Sequence, residues 1–168
     1  GMGGVGKTTL AMEVKKFVEA EHLFEKVLFV PVSSTVEVWR IQEKIANSLQ
    51  REIPETEEMR AKRLCSILTK EKSVLLILDD LWEKLDFGRI GIPSSEHRRG
   101  CKILITSRSE AVCTLMDCQR KICLPILTDE EAWTLFQNKA LITEATSDTL
   151  KDLGRLISNE CKGFPFAL

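Results

Sequence analysis

Residues 1–8, Gly-Met-Gly-Gly-Val-Gly-Lys-Thr, constrain the fold more than any other stretch of the chain. Gly1, Gly3, Gly4 and Gly6 leave the backbone free to turn, and no bulky polar side chain stands in the way of converging backbone N–H groups. A helix opening at Thr8 adds its positive N-terminus to the same point. A triphosphate tail is a dense anion, and several donors aimed at one spot are what it requires. In such a loop Lys7 would reach the β- and γ-phosphates and the Thr8 hydroxyl would ligate Mg2+. At average residue frequencies the GxxxxGK-Ser/Thr pattern arises by chance in roughly one chain of this length in 200, and here it also opens a helix, as the chemistry demands.

Hydrophobic spacing then predicts an alternation of elements. Thr8 to Glu21 reads as a helix, with Leu10, Val14, Phe17 and Val18 on one face. Lys26 to Ser33 is a short β-branched and aromatic run, hence a strand. Val36 to Gln50 returns to helical period through Val38, Ile41, Ile45 and Leu49. After polar residues 51–58, a further helix carries Ala61, Leu64, Ile67 and Leu68. Ser73 to Asp79 is apolar without alternation, as a strand buried on both faces of a parallel sheet must be. A Gly/Pro/Ser-rich loop at 88–100 leads to a strand at Cys101 to Thr106, a short helix at Glu110 to Met116, and a last strand at Lys121 to Pro125. The expected fold is α/β, a parallel sheet with helices on both faces.

From Thr128 the pattern becomes helix after helix. Thr128 and Glu131 form a capping box ahead of Ala132, Trp133, Leu135, Phe136 and Ala140. A second helix carries Leu150, Leu153, Leu156 and Ile157 and is expected to stop at Gly163, with Pro165 opening another. The boundary is placed near 126, giving a nucleotide-binding domain over 1–126 and a partial helical subdomain over 127–168.

Asp79 and Asp80 end the apolar run Leu75-Leu76-Ile77-Leu78 at the sheet edge where open α/β folds bind ligands. Asp79 would hold Mg2+, directly or through water, and Asp80 would orient or deprotonate an attacking water. A strand ending in two acids is also an ordinary start for a turn. Arg108, two residues past the strand 101–106, could touch a γ-phosphate and report its presence, although a surface arginine there is commonplace. Several phosphate-loop classes drop out. No Asn-Lys-x-Asp guanine-reading motif, Ser-Gly-Gly signature or Asp-Glu-Ala-Asp box is found.

Composition narrows the rest. The 168 residues carry 24 Lys+Arg against 25 Asp+Glu, a net charge of −1, so a broad nucleic-acid surface is not expected. The longest clean aliphatic run, Val74 to Leu78, is far short of the ~18 residues of a membrane-spanning helix. The opening glycines and lysine do not read as a signal peptide. The six cysteines include no Cys-x-x-Cys pair, and His22 and His97 lie far apart, which speaks against zinc. Cys101 and Cys123 sit in strand-like stretches and read as small core residues; the bland reading is reduced thiols in a cytoplasmic protein.

In this order, GMGGVGKTTL, LLILDDLW, GCKILITSR, LTDEEAWTLF and GFPFAL resemble the nucleotide-binding (NB-ARC) domain of plant disease-resistance proteins of the leucine-rich-repeat class. The resemblance covers the whole chain, and Trp82 after the two acids resembles the coiled-coil subclass. It implies a P-loop NTPase fold of the STAND/AAA-like branch, and a switch that rests with ADP, activates with ATP and is reset by slow hydrolysis. Carried over, Gly1, Gly3, Gly4, Val5, Gly6, Lys7, Thr8 and Thr9 would hold the phosphates, and Thr8 and Asp79 the magnesium. Asp80 would assist hydrolysis, Arg108 would sense the γ-phosphate and Pro165 would pack on the adenine. Phe164 and Phe166 stand where the family has leucines. The family's strand before the phosphate loop, its winged-helix subdomain, coiled coil and leucine-rich repeats are not in this sequence, so the chain is expected to fold marginally and not to switch by itself. A signalling or metabolic ATPase outside plant immunity is the alternative, which turnover near the ~10 s⁻¹ typical of metabolic enzymes would favour.

Overall fold

A computed structural model describes residues 1–94, 96 and 100–168. His97 and part of the expected 88–100 loop lie outside these residues. The chain forms two compact units, one of Thr8–Arg120 and one of Gly1–Lys7 with Lys121–Leu168.

The larger unit is built on a parallel sheet of three strands, β1 (Lys26–Pro31), β2 (Val74–Leu81) and β3 (Cys101–Ser107), in the order β1-β2-β3. Helices cover both faces, as the unbroken apolar run of β2 requires. On one face Leu75 and Ile77 of β2 meet Val27 and Phe29 of β1 and helix α1 (Lys7–Ala20) through Ala11, Val14 and Val18. On the other, Val74, Leu76 and Leu78 pack with Leu28 and Val30 against α2 (Val38–Ser48) and α3 (Glu57–Lys70). The apolar stripe of α1 is thus turned from the expected one: Ala11 and Val18 are buried, whereas Leu10 and Phe17 face outward. The small Ala11 lets the helix lie close to the strands, a contact that a search for large side chains overlooks.

Local chemistry sets the helix ends. Thr56 caps α3 by accepting from the Met59 N–H; Glu57 and Glu58 occupy the first turn and Lys70 the last, each favourable to the helix dipole. Gln42 of α2 is fully buried and donates to the carbonyls of Glu57 (3.0 Å) and Arg89 (2.9 Å). It thereby ties α2 and α3 to a one-turn helix, α4 (Phe87–Ile90), which the loop reading of 88–100 does not contain. Beyond β3, helix α5 (Glu110–Leu115) contributes Val112 to the core on the α2–α3 side.

In the smaller unit, α6 (Asp129–Ala140) begins with the predicted capping box, both arms of which are formed. Helix α7 (Asp148–Glu160) follows. Gly154 is where α7 meets its neighbour, since a Cβ there would stand 3.1–3.2 Å from Phe136, Ile142 and Trp133. The predicted leucines of α7 are exposed instead, Leu156 at 65%. Two further expectations fail. Residues 121–125 form no strand: Leu124 lies against Gly1, Ile122 is 90% exposed and Cys123 is exposed, not buried. A strand is one side of a hydrogen-bonded ladder, and short apolar content alone cannot supply the other side. Pro165 opens a turn, not a helix. Cys101 is buried as expected.

Candidate functional site

The glycine loop is shaped by residues of its own unit. Gly4 and Gly6 have φ of +79° and +91°, conformations that side-chain-bearing residues rarely adopt. A Cβ on Gly4 would approach the Phe166 Cβ to 3.3 Å, and the Phe166 N–H donates to the Gly4 carbonyl at 3.2 Å. The GFPFAL segment therefore fastens onto the loop through its main chain. The Phe166 ring stays 91% exposed and Pro165 is half-buried. A Cβ on Gly6, by contrast, would meet nothing within 4 Å, so that side of the turn is open to a ligand. Val5 is buried, which leaves its main chain as what it can offer an anion. The Lys7 ammonium donates to the carbonyls of Gly1 (2.8 Å) and Met2 (2.5 Å), folding over the loop that it would share with phosphate oxygens. Thr9 is exposed in the first turn of α1.

The second group of residues is organised by an irregularity in β2. Leu78 pairs with Ile105, but Leu81 pairs with Ser107, so Asp79 and Asp80 together face Thr106. This is a β-bulge, two residues opposite one. Its effect is specific. Asp79 keeps the face of Leu75 and Ile77, the α1 face, and there the Thr8 hydroxyl donates to its Oδ2 at 2.9 Å. Asp80 takes φ +59° and is turned out of the ladder, and Leu81 is returned to the core on the α2–α3 side. In a regular, unbulged strand Asp80 would point into that core.

One hydroxyl then serves both acids. Thr106 Oγ1 donates to Asp79 Oδ1 at 2.6 Å and accepts the Asp80 N–H at 2.9 Å. Asp79, 4% exposed, has a hydroxyl on each carboxylate oxygen. Hydroxyl and carboxylate oxygens are the donor set that a hard cation such as Mg2+ selects, so Thr8 and Asp79 fit one. Asp80 is paired differently. Arg108 donates to it through Nε (3.2 Å to Oδ1) and Nη2 (3.4 Å to Oδ2), and the Trp82 indole N–H donates to Oδ2 at 3.1 Å. The Arg108 guanidinium carbon lies 4.5 Å from the centre of the Trp82 ring.

The structure therefore brings together Thr8 with Asp79 and Asp80 with Arg108. Sequence reasoning missed Thr106, and it took Trp82 for a subclass marker. The signal for Thr106 was a hydroxyl pair, Thr106-Ser107, ending an apolar strand beside the Asp-Asp strand. Its partners depend on a bulge that sequence does not display.

Residues 1–146 match the NB-ARC domain family. The chain belongs to the NB-ARC family. A probable disease resistance protein of Arabidopsis thaliana is 38% identical over the whole chain, which covers 24% of that protein. The disease resistance protein UNI of the same plant is 37% identical over the whole chain, which covers 20% of it. The chain thus spans about a fifth to a quarter of these relatives. The crystal structure of Cdc6p from Pyrobaculum aerophilum superposes with a TM-score of 0.69 over 95% of this chain and 46% of that one. At 17% identity it shows a shared α/β fold. This NB-ARC domain is a nucleotide-binding domain of the plant disease-resistance type. No helix among its described residues is long and apolar enough to cross a membrane.

Proposed function

We propose that this NB-ARC domain is the ADP/ATP switch of a cytoplasmic plant immune receptor, joined in the full-length protein to coiled-coil and leucine-rich-repeat domains. The observation that carries the reading is the 2.9 Å bond between Thr8 and Asp79, which joins two motifs 71 residues apart in the arrangement nucleotide chemistry needs. Gly1, Gly3, Gly4, Val5, Gly6 and Thr9 supply main-chain or hydroxyl donors to the phosphates, and the Lys7 ammonium exchanges loop carbonyls for phosphate oxygens. Thr8 and Asp79 hold Mg2+, which when bound offsets the phosphate charge. Arg108 reads the γ-phosphate, Asp80 orients water for a slow hydrolysis, and Pro165 packs on the base. The nucleotide-binding domain is assigned to 1–126 and the helical subdomain to 127–168.

A thermal melt by circular dichroism, with and without Mg·ADP, tests the reading. Ligand at 100-fold over its dissociation constant adds about 2.7 kcal/mol, a rise in Tm of roughly 5–10 °C for a chain of this size. The rise should vanish in Lys7→Ala. A cooperative melt of the parent chain with no shift sinks the proposal.

A further inference from the structure

Trp82, Asp80 and Arg108 form a closed triangle in which each side chain contacts the other two. The indole N–H holds Asp80 Oδ2, the guanidinium holds both Asp80 oxygens, and the guanidinium lies over the indole ring. The backbones beneath it are fixed. Asp80 is tied by its N–H to Thr106, and the buried Ser107 hydroxyl, next to Arg108, donates to the Leu81 carbonyl at 2.7 Å. What remains free to travel is the end of the long Arg108 side chain, half of whose surface is exposed. A partly exposed ion pair is held weakly, so the contact is releasable and not a structural brace.

We propose that Trp82 is a positioning residue that parks Arg108 on Asp80, so that Arg108 leaves Asp80 only when a γ-phosphate competes for it. The inference rests on the roles of Arg108 and Asp80 given under Proposed function. Two consequences are built into the geometry. A nucleoside diphosphate offers Arg108 nothing and leaves the triangle intact, whereas a triphosphate must draw Arg108 away from two partners. Trp82 thereby biases the domain toward the diphosphate. The departure of Arg108 also uncovers Asp80 oxygens, so the carboxylate that orients water is freed only when there is a γ-phosphate to hydrolyse. Sensing and hydrolysis become one movement.

The test compares the parent chain with Trp82→Leu, which removes ring and donor, and Trp82→Phe, which keeps a ring face and removes the donor. Affinities for ADP and for a slowly hydrolysed ATP analogue are measured by competition against a fluorescent ADP. In Trp82→Leu the analogue should bind about three- to tenfold tighter, the scale of one cation–π contact and one hydrogen bond, with ADP unchanged within about twofold. Trp82→Phe should fall between. A Trp82 that merely supported the fold would shift both affinities together, and that result overturns the proposal. Indole N–H NMR spectra supply a second readout. The Trp82 signal, assigned by its loss in Trp82→Phe, should be the same with and without ADP and should move with the ATP analogue. It should also move in nucleotide-free Arg108→Leu. A Trp82 signal indifferent to both changes overturns the proposal as well. If the parent chain binds neither nucleotide, the switch reading fails and takes this inference with it. The Arg108→Leu spectrum then still tells separately whether the triangle exists.

Discussion

Strand β2 and helix α7 look alike in sequence, both rich in leucine and isoleucine, and they behave differently in the fold. Leu76, Ile77 and Leu78 of β2 are wholly buried, while Leu153, Leu156 and Ile157 of α7 face outward. What α7 buries is Gly154 and Ser158, small residues beside its leucines and isoleucine. Apolar periodicity identifies the element and the face that could be covered; it does not say that this face is the one in contact. In β2 both faces are covered by helices, and that two-sided cover is what holds the acids at its end in place.

The largest expected effect separates these regions directly. Leu76→Ala removes a side chain packed between strands and helices and should cost about 2–5 kcal/mol in urea denaturation. Leu156→Ala should stay within about 0.5 kcal/mol, as surface substitutions do. Equal costs would mean that α7 is covered in solution and would break the contrast. A smaller effect belongs to the end of β2. Thr106→Val keeps the shape but strips Asp79 and the Asp80 N–H of their shared partner, leaving part-buried polar groups unmatched at about 1–3 kcal/mol. A change below about 0.5 kcal/mol would show that the hydroxyl is ornamental to stability.

The smallest effect lies on the exposed side of α3. Glu58 accepts a hydrogen bond from Lys62 one turn on, and with the attraction of that ammonium this lowers its carboxyl below the usual range. A carboxyl depressed in the folded state adds stability that is present above its unfolded value and is lost as pH falls through the folded one. Lys62→Met should therefore raise the NMR titration midpoint of Glu58. Because the carboxylate is fully exposed, Tm at neutral pH should scarcely move.

Much of the larger unit was legible. The unbroken run ending in Asp79 announces a central parallel strand, and in the smaller unit the glycine loop with Lys7, running into Thr8, announces a ligand class. The misreadings have a common source, namely partners that sequence does not print. Residues 121–125 have strand composition but no ladder. Cys123 has core-like neighbours in sequence and none of the expected cover. Helix α4 spans four residues, too few to carry a period, and is fixed by the distant Gln42. Thr106 and Trp82 acquire their roles only once β2 and β3 are aligned with one residue out of step.

That misalignment makes the site a counted length. From Leu78 to Leu81 the chain takes three steps while β3 takes two; the outward acid is the surplus, and the bulge that absorbs it keeps the leucine buried. Point substitutions there alter one contact at a time. Deleting a single residue between the two leucines would straighten the strand and keep Leu81 on the α2–α3 side, but leave one position, on the α1 face, for two jobs. Across variants of this domain, the interval between those leucines should tolerate changes of letter far more readily than a change of number.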